Sequence, residues 1–407
     1  MTKNVCLLML VLAVAGVATA DSLNCRLVGT YDTPVGFPID VAVVESLAYI
    51  AAADGGLRII SLADPHNPSE LGVFVGPATT MGVAVKDSIA YVAGHNSGLF
   101  LVNIADPQNP QQVGQCGTPG VAARVAVKET LLYVADRNEG LRIISVRDPV
   151  SPYEVGYCVT PDIHNDVTVA DTIACVASTL ENLLLVINIA NPASPLLAGS
   201  CAMPRNAEGV TVSGSYAYVA AGDLLIIDVS DPQNPHEVGR YVTPNFAMDV
   251  RVAGNTAYLA DGYSGLRVVD VSNPQQPQEI GFYDTPGFAN GIDLAGDYVC
   301  VTEDPLGLYV FQFYGAGIEE REKSEVRRVK DGATVVRGVL HQPVASRQNA
   351  GHRTELLDAV GWKVLDLKPG PNDVSRLSPG VYFVTEQSAF SSQQSGSTGV
   401  TKVIVTR

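Results

Sequence analysis

The sequence predicts an all-β chain: a seven-bladed β-propeller closed by its own N-terminal strand, followed by a small Ig-like β-sandwich. Three observations predict it. One unit of about 42 residues recurs along most of the chain. Each copy holds short runs of Val, Ile, Leu and Tyr separated by Gly, Pro, Asn and Asp, the pattern of strands and tight turns. The incomplete copies at the two ends of the repeat complement each other, which is how a ring closes.

The first marker of the repeat is an apolar-Gly step. It falls at Val28-Gly29, Leu71-Gly72, Val113-Gly114, Val155-Gly156, Ala198-Gly199, Val238-Gly239 and Ile280-Gly281, with glycine spacings of 43, 42, 42, 43, 40 and 42. The second is an apolar strand, most often entered by Gly-Leu, as at Gly56-Leu57, Gly98-Leu99, Gly140-Leu141 and Gly265-Leu266. The third is Asp- or Asn-Pro-x-x-Pro, beginning at Asp64, Asp106, Asp148, Asn191, Asp231 and Asn273. Its Asx side chain can bond the backbone ahead, and its prolines sit where no ladder donor is wanted.

Each unit reads as four strands. In the sixth, residues 248–252 form strand A, 257–260 strand B, 266–271 strand C and 279–283 strand D. Gly-Asn, Gly-Asp and Gly-Ser steps supply the A–B hairpins. The first D segment, residues 27–34, precedes any A strand, and the last C segment, residues 308–313, has no D strand or Asp-Pro turn after it. The N-terminal strand is therefore expected to complete the last blade and cover its open edge. An open-ended solenoid is the alternative. Segments such as Gly265-Leu266-Arg267-Val268-Val269-Asp270-Val271-Ser272-Asn273-Pro274 resemble the LVIVD repeat family of secreted bacterial and archaeal proteins. The resemblance spans about residues 27–314 and implies a β-propeller in an exported or surface setting, and no common reaction; the propeller domain is bounded at 21–314. Blade 4 departs from it, with Glu181-Asn182-Leu183-Leu184 in place of the Gly-Leu entry.

The chain opens with Lys3, an apolar run from Val5 to Ala18, and Ala18-Thr19-Ala20 before Asp21. This predicts a secretory signal peptide over 1–20, too short to be read as a membrane span. Six cysteines follow it. Cys175 and Cys201 fall on strands B and D of blade 4, and Cys25 and Cys300 on the same two strands of blade 7. Two strand spacings of about 4.8 Å exceed the reach of a disulfide, so free thiols are expected at these four.

Residues 315–330 are rich in charges of both signs and read as a solvated linker. In 331–407, short strand patterns at residues 334–340, 354–358, 363–367, 381–385 and 402–406 read as a small sandwich. The stretch from Glu355 to Leu365 and Pro379-Gly380-Val381-Tyr382-Phe383-Val384 resemble the C-terminal sorting domain of type IX secretion substrates. The terminal Thr401-Lys402-Val403-Ile404-Val405 does so too, although Trp362 stands where that family usually has Arg. The resemblance implies a partner in the secretion machinery and passage through the periplasm to the cell surface or medium.

Charge and motifs exclude several functions. The chain has 26 Lys and Arg against 42 Asp and Glu, for a net charge of −16, which argues against a nucleic-acid surface. No later apolar run is long enough for a transmembrane helix. The sequence holds no G-x-S-x-G elbow, Walker loop, H-E-x-x-H or C-x-x-C pair, and it names no cofactor. No catalytic residue and no metal ligand is assigned.

Candidate binding residues come from topology. If strand A runs downward, the D–A connections and B–C loops share the top face. The B–C loops differ between copies while the bottom turns repeat, so binding is expected above. That face should carry Asp54, His95, Asp261, Tyr263 and His164. One position at the start of each A strand holds Asp40, Gly82, Arg124, Asp166, Gly209, Asp249 and Gly291 in order. Near the axis, Asp40, Asp166, Asp249 and Arg124 either meet a cation or polar ligand, or cap the D–A turns. The leading function is a non-catalytic exported propeller binding a protein or glycan partner of unknown identity. The alternative is an extracellular hydrolase or lyase acting at the channel mouth, since propellers host both.

Overall fold

The computed structural model describes residues 22–76, 79–160 and 163–314, together with strand segments between 335 and 405. The signal peptide expected over 1–20 and the linker expected over 315–330 lie outside the described residues. The chain divides into two compact units, Met1–Ala316 and Gly317–Arg407.

The first unit is a seven-bladed propeller of antiparallel four-stranded sheets. Blade 1 places Asp40–Val44, Leu47–Ala51, Leu57–Ser61 and Ser69–Phe74 side by side as strands A to D. Blades 2 to 6 repeat that order. Every A–B hairpin turns on a residue in the left-handed region: Glu45, Asp87, Glu129, Asp171, Gly214, Gly254 and Gly296 all have φ between 45° and 60°. That geometry matches the twist of the flanking strands.

Blade 7 closes the ring as expected. It pairs Phe288–Ala295, Tyr298–Asp304 and Gly307–Phe313 with the N-terminal strand Cys25–Asp32. The structure adds one feature: Ser22–Leu23 pairs with the outer strand Gln278–Tyr283 of blade 6. The N-terminal segment thus spans two blades.

The core is divided among the seams. Seven apolar clusters lie between neighbouring blades, one per seam. Across the closing seam, Val41, Ile50 and Ile60 of blade 1 pack on Cys300, Leu308 and Val310 of blade 7. Burying such β-branched and aliphatic side chains is the main favourable term, worth roughly 1.5–3 kcal/mol each.

Two of the repeat markers turn out to touch. The D-strand glycine of one blade lies against the Asp-Pro turn of the next. A Cβ on Gly72 would stand 2.3 Å from the Pro107 carbonyl oxygen, and one on Gly114 2.0 Å from that of Pro149. Gly281 of blade 6 faces a blade that lacks the Asp-Pro turn, and there the Leu23 carbonyl oxygen and the Phe313 ring fill the place.

Cys116, Cys158, Cys175, Cys201 and Cys300 are free thiols. Strand Leu183–Asn188 separates Cys175 from Cys201, and strand Gly307–Phe313 separates Cys25 from Cys300. Among the described residues, no helix is long and apolar enough to cross a membrane.

The second unit is also β. One sheet orders Lys363–Leu367, Arg353–Leu357, Gly380–Gln387 and Val400–Val405; the other orders Val335–Val336, Val339–Gln342 and Gly370–Asp373. The segment expected as one strand over 334–340 instead pairs antiparallel with itself, Val336 opposite Val339.

Two outcomes test this account. Removing residues 22–32 strips blade 7 of its outer strand and the blade 6 seam of Leu23. The melting temperature should fall by about 5 °C or more, and a shift within a degree contradicts the closure. Gly114→Ala drives a methyl into a carbonyl and should cost about 1–3 kcal/mol in equilibrium unfolding. Gly117→Ala, whose Cβ meets nothing within 4 Å, is the matched control.

Candidate functional site

The ring of A-strand starts obeys a rule: each Asp is followed in the next blade by Gly. Asp40 Oδ2 accepts the Val83 amide at 2.9 Å, Asp166 Oδ2 that of Val210 at 2.8 Å, and Asp249 Oδ2 that of Ile292 at 3.2 Å. Every one of these bonds joins a blade to its successor. The glycines instead make room for the blade that follows them: a Cβ on Gly209 would stand 2.8 Å from the Asp249 Cα, and one on Gly291 3.0 Å from the Asp40 Cα. Arg124 in blade 3 reaches across the position left open by Gly82 and ion-pairs with Asp40 of blade 1.

The other carboxylate oxygens are also engaged. Asp40 Oδ1 faces Arg124, Asp166 Oδ1 accepts the Val167 amide at 2.8 Å, and Asp249 Oδ1 accepts Arg251 Nη1 at 2.8 Å. Arg251 Nε lies 3.6 Å from Asp293 Oδ1, and Asp293 Oδ2 takes the Val43 amide at 2.7 Å, across the closing seam. Burial, reinforced by the Asp249 charge, raises Asp166 to a pKa of about 6 against the pull of Arg124 and Arg251. Burial likewise raises Asp293. It would lower Arg251, but Asp249, Asp293 and Asp166 raise that group above its ordinary value and keep it cationic.

Two cavities meet this ring. One of about 260 Å³ is lined by Asp40, Arg124, Asp166, Thr211, Arg251 and Asp293. The other, about 180 Å³, is lined by the residue just before the ring position in each blade, including Met81, Asn165, Glu208 and Met248, with Arg124 and Arg137.

The D–A connections and B–C loops do share a face, where they bond each other: Ala122 donates to the His95 carbonyl at 3.1 Å and Ala289 to that of Gly262 at 2.9 Å. Asp54 is exposed and accepts the Thr79 hydroxyl at 2.8 Å. His95 is half-buried, with φ 52°. Tyr263 is 70% exposed and sets its ring edge-on to Phe288, centroids 4.9 Å apart. His164, by contrast, is fully buried against the Thr160 hydroxyl. Asp261 is fully buried as well, taking the Asn245 amide at 3.1 Å with Arg267 Nε 3.8 Å away. These two shape the face from beneath and present no atom to a partner.

The loop sequences name Asp261 singly but leave two groupings unassembled. Asp136, Asp261 and Glu303 share one buried position after strand B, and each holds an amide of the preceding D–A connection: Gly120 at 2.9 Å, Asn245 at 3.1 Å and Gly287 at 3.2 Å. Burial pushes Asp261 up to about 6 and Glu303 to about 7, and raises Asp136. Phe37, Phe246 and Phe288 occupy one position in the connections into blades 1, 6 and 7. The signal is the Thr-Pro dipeptide that opens these connections, at residues 118, 243 and 285 for the acids and at 33, 243 and 285 for the phenylalanines.

The LVIVD repeat matches residues 36–75, 77–118, 119–160, 164–203, 204–243 and 246–285, more than half of the chain. The chain belongs to the LVIVD repeat family. The six matches are blades 1 to 6. The seventh LVIVD blade is assembled from both ends of the propeller, so no continuous stretch contains it. Among curated proteins, none matches. The WD40 propeller domain of Doa1 is 12% identical, with 72% of this chain and 98% of that one covered at a TM-score of 0.59. Sqt1 of Saccharomyces cerevisiae is 8% identical, with 72% and 99% covered at 0.55. The computationally designed Ika8 protein is 9% identical, with 67% and 82% covered at 0.53. At such identities the likeness is one of fold.

The raised carboxyls give this LVIVD propeller a pH dependence. A carboxyl whose folded pKa exceeds its unfolded value binds its proton more tightly when folded, so stability falls as pH rises between the two values. For Glu303, Asp261 and Asp166 that window runs from the ordinary carboxylate range near 4 to about 6–7. The melting temperature should be higher at pH 5.5 than at pH 8, and Glu303→Gln should flatten the slope. A melting temperature that climbs from pH 5.5 to 8 contradicts it.

Proposed function

We propose that the chain is an exported, non-catalytic propeller whose loop face engages a protein partner at the cell surface or outside the cell. The observation that carries this reading is that the loop face presents exposed aromatic and aliphatic side chains, beside others such as Val150 and Leu196 on a bottom turn and an outer strand. Val75, Val242 and Tyr263 are 74%, 69% and 70% exposed, and Phe37 57%, all on the D–A connections or B–C loops. Such side chains lose water on docking, and aromatic ones anchor interfaces. Asp54 and His95 lie among them as polar contacts, and Asp40, Arg124, Asp166 and Asp249 ring the mouth. A glycan partner is the other member of this class, but the aliphatic residues favour protein. Hydrolase or lyase chemistry at the mouth needs a carboxylate free to move a proton, and the bonds around the ring occupy those oxygens.

Export rests on the apolar run and the Ala18-Thr19-Ala20 step at the N-terminus. The paired strands of the second unit suit an Ig-like sandwich acting as a type IX sorting domain, which delivers the propeller from the periplasm to the surface.

The binding test compares retention of envelope proteins and of surface polysaccharides on immobilised propeller. Phe37→Ser with Tyr263→Ser should cut protein retention about tenfold or more, while Gln108→Ala with Gln233→Ala in the bottom turns leaves it unchanged. Loss confined to the bottom-turn variant overturns the assignment. Export is tested by removing 319–407: the propeller should then accumulate in the periplasm, and unchanged release refutes the sorting role.

A further inference from the structure

We propose that the 180 Å³ vestibule at the channel mouth is a site for one small zwitterion, an α-amino acid with an apolar side chain. This goes beyond docking of a macromolecular partner on the surrounding face. Two oppositely charged side chains line this cavity without opposite-charge partners among the described residues. Arg137 stands on the short turn Arg137–Glu139 of blade 3, and its Nε is buried with no hydrogen-bond acceptor. Its neighbour Arg124 is satisfied by Asp40. Glu208, two blades on, accepts only the Asn165 amide, at 2.5 Å, and pairs with no cation. The fold holds Arg137 and Glu208 on different blades, so they line one cavity without closing on each other.

A buried donor without an acceptor costs free energy until something satisfies it. A guanidinium fork matches a carboxylate, and Glu208 can receive an ammonium. The rest of the wall is apolar at Ile39, Met81, Ala123 and Met248 and polar at Asn165 and Asn290, beside Arg124. Methionine adapts to aliphatic shapes, which sets the preference for an apolar side chain. The volume holds a single residue-sized molecule.

Isothermal titration of the mature full chain with L-leucine, N-acetyl-leucine and leucinamide tests this. Leucine should bind saturably, and each blocked derivative about tenfold or more weakly, because each removes one charge. Arg137→Gln should weaken leucine by a similar factor and leave leucinamide unchanged; Glu208→Gln should spare N-acetyl-leucine. Where Arg137→Gln fails to fold, the two blocked ligands on the wild-type chain carry the same comparison. Equal affinity for leucine and either derivative overturns the zwitterion site, as does absence of saturable binding to leucine, isoleucine and methionine alike. Protein retention by the loop face is read separately, so either assignment can fail alone.

Discussion

A carboxylate on the innermost strand of one blade accepting an amide of the next is the bond on which the ring's geometry depends. It recurs from Asp40, Asp166 and Asp249, and Asp293 makes it across the closing seam. Apolar clusters supply most of the cohesion between blades, but they are non-directional. The charged bonds fix rotation and spacing at the axis. At the foot of the ring, Lys86 Nζ meets the Glu129 carbonyl at 2.5 Å and Lys128 does the same for Asp171 of the following blade. On the outside, D-strand glycines seat against Asp-Pro turns. The carboxylate bonds serve four of the seven seams and the lysine bonds two others, so polar contacts at six seams add direction to the apolar packing.

This use of charge bears on function. The ring carboxylates are committed to the scaffold, and so are Asp136, Asp261 and Glu303 beneath the loops. Their burial is costly, as the raised pKa of Glu303 records. What they hold in place is the upper face, where Tyr263, Phe37 and Asp54 reach solvent. The scaffold and the solvent-exposed face are therefore built from different residues of the same loops.

Much of this was legible in the sequence. Strand order, blade number and the role of residues 25–32 follow from counting partial repeats, because each strand type has its own marker. The ring position was found as a register, yet its bonds were not. Register says that Asp166 lies at the axis; only the packed blades show its carboxylate reaching the Val210 amide of the next blade. Asp261 and Asp54 look alike in a list of loop acids, but one is buried under Asn245 and the other is exposed. The addition of Ser22–Leu23 to blade 6 left no signal, since its cause is a missing Asp-Pro turn some 290 residues away.

The most direct test of the axial bonds is residue-resolved hydrogen exchange of the full chain beside Asp249→Ala. The carboxylate bond predicts that the Ile292 amide, one blade onward, loses protection about tenfold or more in the variant, while Val83 and Val210 keep theirs. An unchanged Ile292, or an equal loss at all three amides, would contradict the claim that each of these bonds sets the two blades it joins.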